Sequence, residues 1–163
     1  MRLRTFLPGL FAASCLAGQA LAACPQELSV YTEVNGETGI DFRPDSEAAL
    51  VANSFRLVLP QGPLLEGHVM WTQGPERPFG ALMLDCPQGD VTGEEIAACT
   101  HWQGVVYALG TDGEIGLIPR QGEDAAERLL FPDLSRMLRA GPLNDGKAVL
   151  PEWDVYALSG CQE

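Results

Sequence analysis

Leu65-Glu66-Gly67-His68-Val69-Met70-Trp71-Thr72, followed by Gln73-Gly74-Pro75-Glu76-Arg77 and then Phe79-Gly80-Ala81-Leu82-Met83-Leu84-Asp85, is the run that decides the architecture. Successive side chains on a strand point to opposite faces. Leu65, Gly67, Val69 and Trp71 therefore fall on one face, and Glu66, His68, Met70 and Thr72 on the other. The residues between the two apolar runs include Gly and Pro, which punctuate strands and turn the chain. The spacing predicts a β-hairpin with a loop of about five residues or slightly more. Cys86-Pro87 closes it.

On the N-terminal side, Phe55 to Leu59 reads as a short apolar strand stopped by Pro60-Gln61-Gly62-Pro63. Before it, Val30-Tyr31-Thr32-Glu33-Val34 alternates, and Asn35-Gly36-Glu37 turns the chain. Pro44-Asp45-Ser46-Glu47 has the composition of a helix start, with Ala48, Ala49, Leu50 and Val51 following for about two turns. On the C-terminal side, Glu94-Glu95-Ile96-Ala97-Ala98 predicts one short helix within the excursion from Gln88 to Thr100. Trp102 to Leu109 and Glu114 to Ile118 read as a second hairpin around Gly110-Thr111-Asp112-Gly113. Asp-Gly favours a turn in which both central residues have positive φ.

From Glu123 the pattern turns helical, with Glu123 and Asp124 at the start and Arg136 and Arg139 near the end, as a helix dipole favours. Pro132 lacks an N–H and splits the run, which predicts two helices, 123–130 and 132–139. Leu130, Leu134 and Leu138 would share a face against the sheet. Trp153 to Leu158 is the last expected strand. Val155-Tyr156-Ala157-Leu158 repeats Val106-Tyr107-Ala108-Leu109, and Gly62-Pro63-Leu64 matches Gly141-Pro142-Leu143 at a different offset. A tandem repeat would hold one period, so these are similar local solutions and not a duplication. The expected fold class is α+β: an antiparallel sheet of about five to seven strands with short helices packed on one face.

Residues 1–23 have the pattern of a secretory signal peptide. Arg2 and Arg4 precede an apolar core from Phe6 through Ala17, and Ala20-Leu21-Ala22 offers a small-x-small cleavage site. The core is too short to span a bilayer, which needs about 20 residues. Residues 24–163 are then a single exported domain, periplasmic or secreted, and the short leader has a bacterial look. Leu21-Ala22-Ala23-Cys24 also resembles a bacterial lipobox, which would make Cys24 a lipid anchor to the envelope. The structured look of Leu28 to Val34 and the cysteine count favour ordinary cleavage. Of five cysteines, Cys15 leaves with the signal, and four remain in an oxidising compartment. The favoured pairing is Cys24–Cys161, tying the ends, with Cys86–Cys99 closing a short loop. No C-x-x-C spacing points to zinc.

Removing Arg2 and Arg4 leaves eight basic against 22 acidic residues, a net charge of −14. That balance argues against nucleic acid or anionic lipid as a partner. His68 shares a strand face with Glu66, an arrangement open to acid–base or metal chemistry. His101 follows Cys99 and would edge any pocket the disulfide holds. A hydrolytic or metal site requires these histidines to converge with Glu66 or Asp85. Gly-x-Ser-x-Gly, phosphate-cradling glycine loops and His-Glu-x-x-His are absent. No cofactor or metal is expected. The reading that follows is a non-enzymatic binding or envelope-interaction module, leaning away from an enzyme, with an envelope or extracellular protein as partner. The alternatives are a small periplasmic hydrolase or metal-dependent enzyme using His68 and Glu66, and an acidic inhibitor of a basic extracellular enzyme.

Overall fold

Alternation along the hairpin is realised in the middle of one antiparallel sheet. The structure, a computed structural model, describes residues 24–45, 51–71 and 77–163. A 3-10 turn at Gln26–Leu28 leads into β1 (Ser29–Glu33), β2 (Gly39–Arg43), β3 (Val51–Val58), β4 (Leu64–Trp71) and β5 (Pro78–Met83). Next come α1 (Gly93–Cys99), β6 (Thr100–Val105), β7 (Tyr107–Leu109), β8 (Ile115–Leu117), β9 (Arg128–Leu130), α2 (Leu134–Ala140) and β10 (Val155–Cys161). The strand order is β6-β5-β4-β3-β2-β1-β10-β9-β7-β8.

Among the described residues, ten strands and two short helices make this a mostly β architecture, so the α+β expectation holds only coarsely and its count of five to seven strands is too low. β6 and β7 stand near opposite ends of the strand order, yet Val106 alone separates them along the chain. Both sets of pairings can form only if the sheet curls round on itself, giving a half-barrel. Val106 is buried at that corner and donates its N–H to the Pro78 carbonyl at 3.1 Å.

Side chains on the concave face fill the interior. Phe42, Phe55, Gly67, Leu82 and Trp102 lie in one cross-strand row. A Cβ on Gly67 would run into the Phe55 ring, so the glycine in the alternating hairpin is the seat of that ring. Gly80 and Gly104 face each other across β5 and β6 and leave the same kind of room for Trp102. Phe131 stacks within 5.5 to 5.7 Å of Phe55, Trp102 and Tyr156, joining the two halves of the core.

Several elements differ from expectation. Residues 123–130 form no helix. Their end pairs with β10 as β9, because Tyr156 and Leu129 face each other in the core and cross-strand burial overrides local helix pattern. The second helix starts at Leu134 rather than at Pro132. Asp133 takes a left-handed conformation, φ 62°, and the carboxylate of Asp154, the residue just ahead of β10, caps the helix. It accepts the N–H groups of Asp133 and Ser135, both at 2.8 Å, and the Ser135 hydroxyl at 2.7 Å. Leu134 and Leu138 are buried as expected, whereas Leu130 belongs to β9. The short helix at 94–98 exists as α1, opened by a reciprocal cap between Thr92 and Glu95. In the second hairpin only Gly113 has positive φ, so the turn is a three-residue loop with a glycine bulge. The expected helix near 44–51 falls mostly on residues 46–50, outside the described residues, and Val51 opens β3. Most of the hairpin turn, 72–76, lies outside them as well.

Cys24–Cys161 and Cys86–Cys99 are the two disulfides, as the cysteine count suggested. A sulfur engaged with Cys161 has no valence left for the thioether of a lipid anchor on Cys24. Among the described residues no helix is long and apolar enough to cross a membrane. One buried polar chain ties β1 to β10: Tyr156 Oη lies 3.0 Å from Thr38 Oγ1, and Thr38 donates to Glu33 Oε2 at 2.8 Å. Glu33 Oε1 in turn accepts the N–H groups of Glu152 and Trp153.

Candidate functional site

His68 sits on the convex face of β4, opposite Ser54 on β3 and Ala81 on β5. Its Nδ1 lies 3.1 Å from Ser54 Oγ, and that hydroxyl donates to Asp45 Oδ2 at 2.6 Å. With the serine hydrogen committed to Asp45, the serine oxygen is left to accept, so Nδ1 of His68 carries the donated hydrogen. In the neutral ring Nε2 then keeps its lone pair. Glu66, His68, Met83, Asp85, Cys86 and Gln88 line an open groove of about 350 Å³ beside the Cys86–Cys99 bridge. Asp85, at φ 53°, turns the chain out of β5 into this groove in a left-handed conformation that aspartate tolerates.

Glu66, His68 and Asp85 therefore line one groove, and His101 is not among its lining residues. His101 is the extra residue of a bulge where β6 meets β5, next to Thr100, which pairs with Met83 of the groove. Partial burial holds its imidazole below the usual histidine range. Glu66 is engaged by Arg56, Nε to Oε1 at 2.7 Å, rather than by His68. Among the described residues no group of three His, Cys, Asp or Glu side chains is placed to share a metal ion. The hydroxyl bonded to His68 also runs in the wrong sense for nucleophilic catalysis, since a serine nucleophile gives its hydrogen to the histidine.

A second surface lies on the convex face of the other half-sheet. Tyr156, Leu129, Ala108 and Gly116 form one cross-strand row, and its side chains pack toward the core. The residues on either side must then face outward. They are Val155, Leu130, Tyr107 and Leu117 in one row, and Ala157, Arg128, Leu109 and Ile115 in the next. Arg128 is the one charged residue in these two rows. Ile115 is 67% exposed and Leu117 43% exposed, and Trp153, two residues ahead of Val155, is 55% exposed. This half-sheet is apolar on its outward face as well as on its core face, and the outward residues form a contiguous apolar patch. No protein-family model, curated protein or solved structure matches this chain.

Sequence reasoning singled out the His68 face and missed the second surface. The signal was present in Tyr107, Leu109, Ile115 and Leu117. Alternation alone could not tell that the strands carrying them keep a second apolar face in solvent.

Proposed function

We propose that this chain is an exported binding module that engages a partner protein through the convex face of β10, β9, β7 and β8. The observation that carries the reading is the two-row apolar face from Val155 to Leu117, ending at the exposed Ile115 and Leu117. Export rests on the signal pattern of residues 1–23, and the two disulfides agree with an oxidising compartment. The charge of −14 after signal removal favours a basic partner and opposes self-association. An inhibitor of a basic enzyme is one form such a module could take. The hydrolytic reading of His68 with Glu66 has less support, because Ser54 points its hydrogen at Asp45, Glu66 is held by Arg56 and His101 does not line the groove.

Photo-crosslinking in the native host tests the reading. A crosslinker at Tyr107 or Leu130 should trap one discrete adduct that a probe at Gln103, on the other half-sheet, does not. Leu109→Glu on the same face should remove that adduct while the protein stays folded by circular dichroism. Equal labelling from both halves would overturn the reading.

A further inference from the structure

The edge of β8, which faces no other strand among the described residues, gives the partner a more definite form. β8 ends the sheet order, and its single neighbour among the described strands is β7. The phase of that ladder follows from one bond: Gly110 donates its N–H to the Glu114 carbonyl at 2.9 Å. Hydrogen-bonded and non-hydrogen-bonded pairs alternate in an antiparallel ladder. Ala108 and Gly116 are then the next bonded pair, and Leu109/Ile115 and Tyr107/Leu117 are non-bonded pairs. Ile115 and Leu117 therefore turn their N–H and C=O groups away from β7, toward the open edge. Natural edges are commonly guarded by Lys, Pro or a bulge. Ile115-Gly116-Leu117 contains none of the three, and the strand is three residues long.

We propose that β8 receives an extended segment of the partner, alternating apolar and basic residues, as an added strand hydrogen-bonded to Ile115 and Leu117. This rests on the binding reading above and specifies its geometry. Apolar residues of the added strand extend the outward rows beside Ile115 and Leu117. The intervening residues point to the other face, where Gly116 has no side chain and no atom lies within 4 Å of the place a Cβ would take. That space admits a long side chain such as Lys or Arg. Asp112 and Glu114, both exposed just before β8, and the acidic charge of the chain as a whole supply the complementary sign.

The test uses fluorescence anisotropy with three synthetic peptides: alternating Val and Lys, alternating Val and Glu, and Val/Lys with N-methyl groups on alternate amides. The Val/Lys peptide should bind and the Val/Glu peptide should not. N-methylation, which removes edge donors without touching the protein, should weaken binding roughly tenfold or more. Leu117→Pro should do the same, since the N–H it removes has no partner in β7 and an edge strand tolerates proline. Unchanged affinity for the N-methylated peptide, or no binding of Val/Lys at all, overturns strand addition. If Leu130→Lys abolishes binding while N-methylation and Leu117→Pro leave it intact, the apolar face stands as the binding surface and strand addition falls. A dimer of the chain that Leu117→Pro abolishes would also overturn it, in favour of a second copy at the edge.

Discussion

Tyr156 shows how a single buried hydroxyl sets a limit on the conditions the protein withstands. Thr38 gives its hydrogen to Glu33, so Tyr156 must donate to Thr38, and ionising the phenol would break the chain of bonds. Burial pushes the Tyr156 phenol far above its usual range, and it pushes Tyr31 in the same direction. A group whose folded pKa is raised contributes stability that is complete below its unfolded value, near 10 for tyrosine, and is lost as pH climbs beyond it. Alkaline unfolding should therefore begin at about pH 10. Tyr156→Phe should move the alkaline midpoint upward and lower stability at neutral pH by about 1 kcal/mol. Identical alkaline midpoints for the two proteins, followed by circular dichroism, would show that this hydroxyl does not set the limit. None of this was legible in the sequence, where Tyr156 is one residue in an apolar strand. At the same scale the cysteines were legible, because four thiols leave few ways to pair. Glu66 and His68 were placed on one face by alternation alone, whereas Asp45 and Ser54 entered only with the register of β3 against β4.

Two identical tetrapeptides show why strands were easier to find than to orient. In Val155-Tyr156-Ala157-Leu158 the tyrosine is fully buried, and in Val106-Tyr107-Ala108-Leu109 it is Ala108 that packs on the core while Tyr107 faces out. The same four residues serve opposite phases, because the partner strand and not local preference decides which face is covered. The outward apolar face of β10, β9, β7 and β8 was invisible for that reason. The 123–130 segment failed differently, since its acidic start and paired leucines match a helix until β10 supplies a partner. α2 itself depends on the residue just ahead of that strand for its cap. Asp154→Ala should remove three hydrogen bonds from the helix start and cost about 1–2 kcal/mol. Urea unfolding should show the lower midpoint, and hydrogen exchange should show faster exchange at the Ser135 amide. Unchanged protection at Ser135 would mean the helix does not need this cap.

Across the whole molecule, the two disulfides constrain the unfolded chain very unequally. Cys24–Cys161 spans 137 residues and Cys86–Cys99 spans 13. Loop-closure entropy assigns about 5 kcal/mol to the long bridge and about 3 kcal/mol to the short one. Replacing Cys24 and Cys161 together by alanine should therefore lower the urea midpoint more than replacing Cys86 and Cys99. The reverse order would place the dominant constraint in the α1 excursion. The long bridge also joins the ends of β1 and its neighbour β10, so it closes the backbone into a covalent ring around the sheet. A force pulling Cys24 away from Cys161 would pass from one sulfur to the other and never load the β1–β10 ladder. While that bond is intact, the domain transmits a pull without being stretched by it.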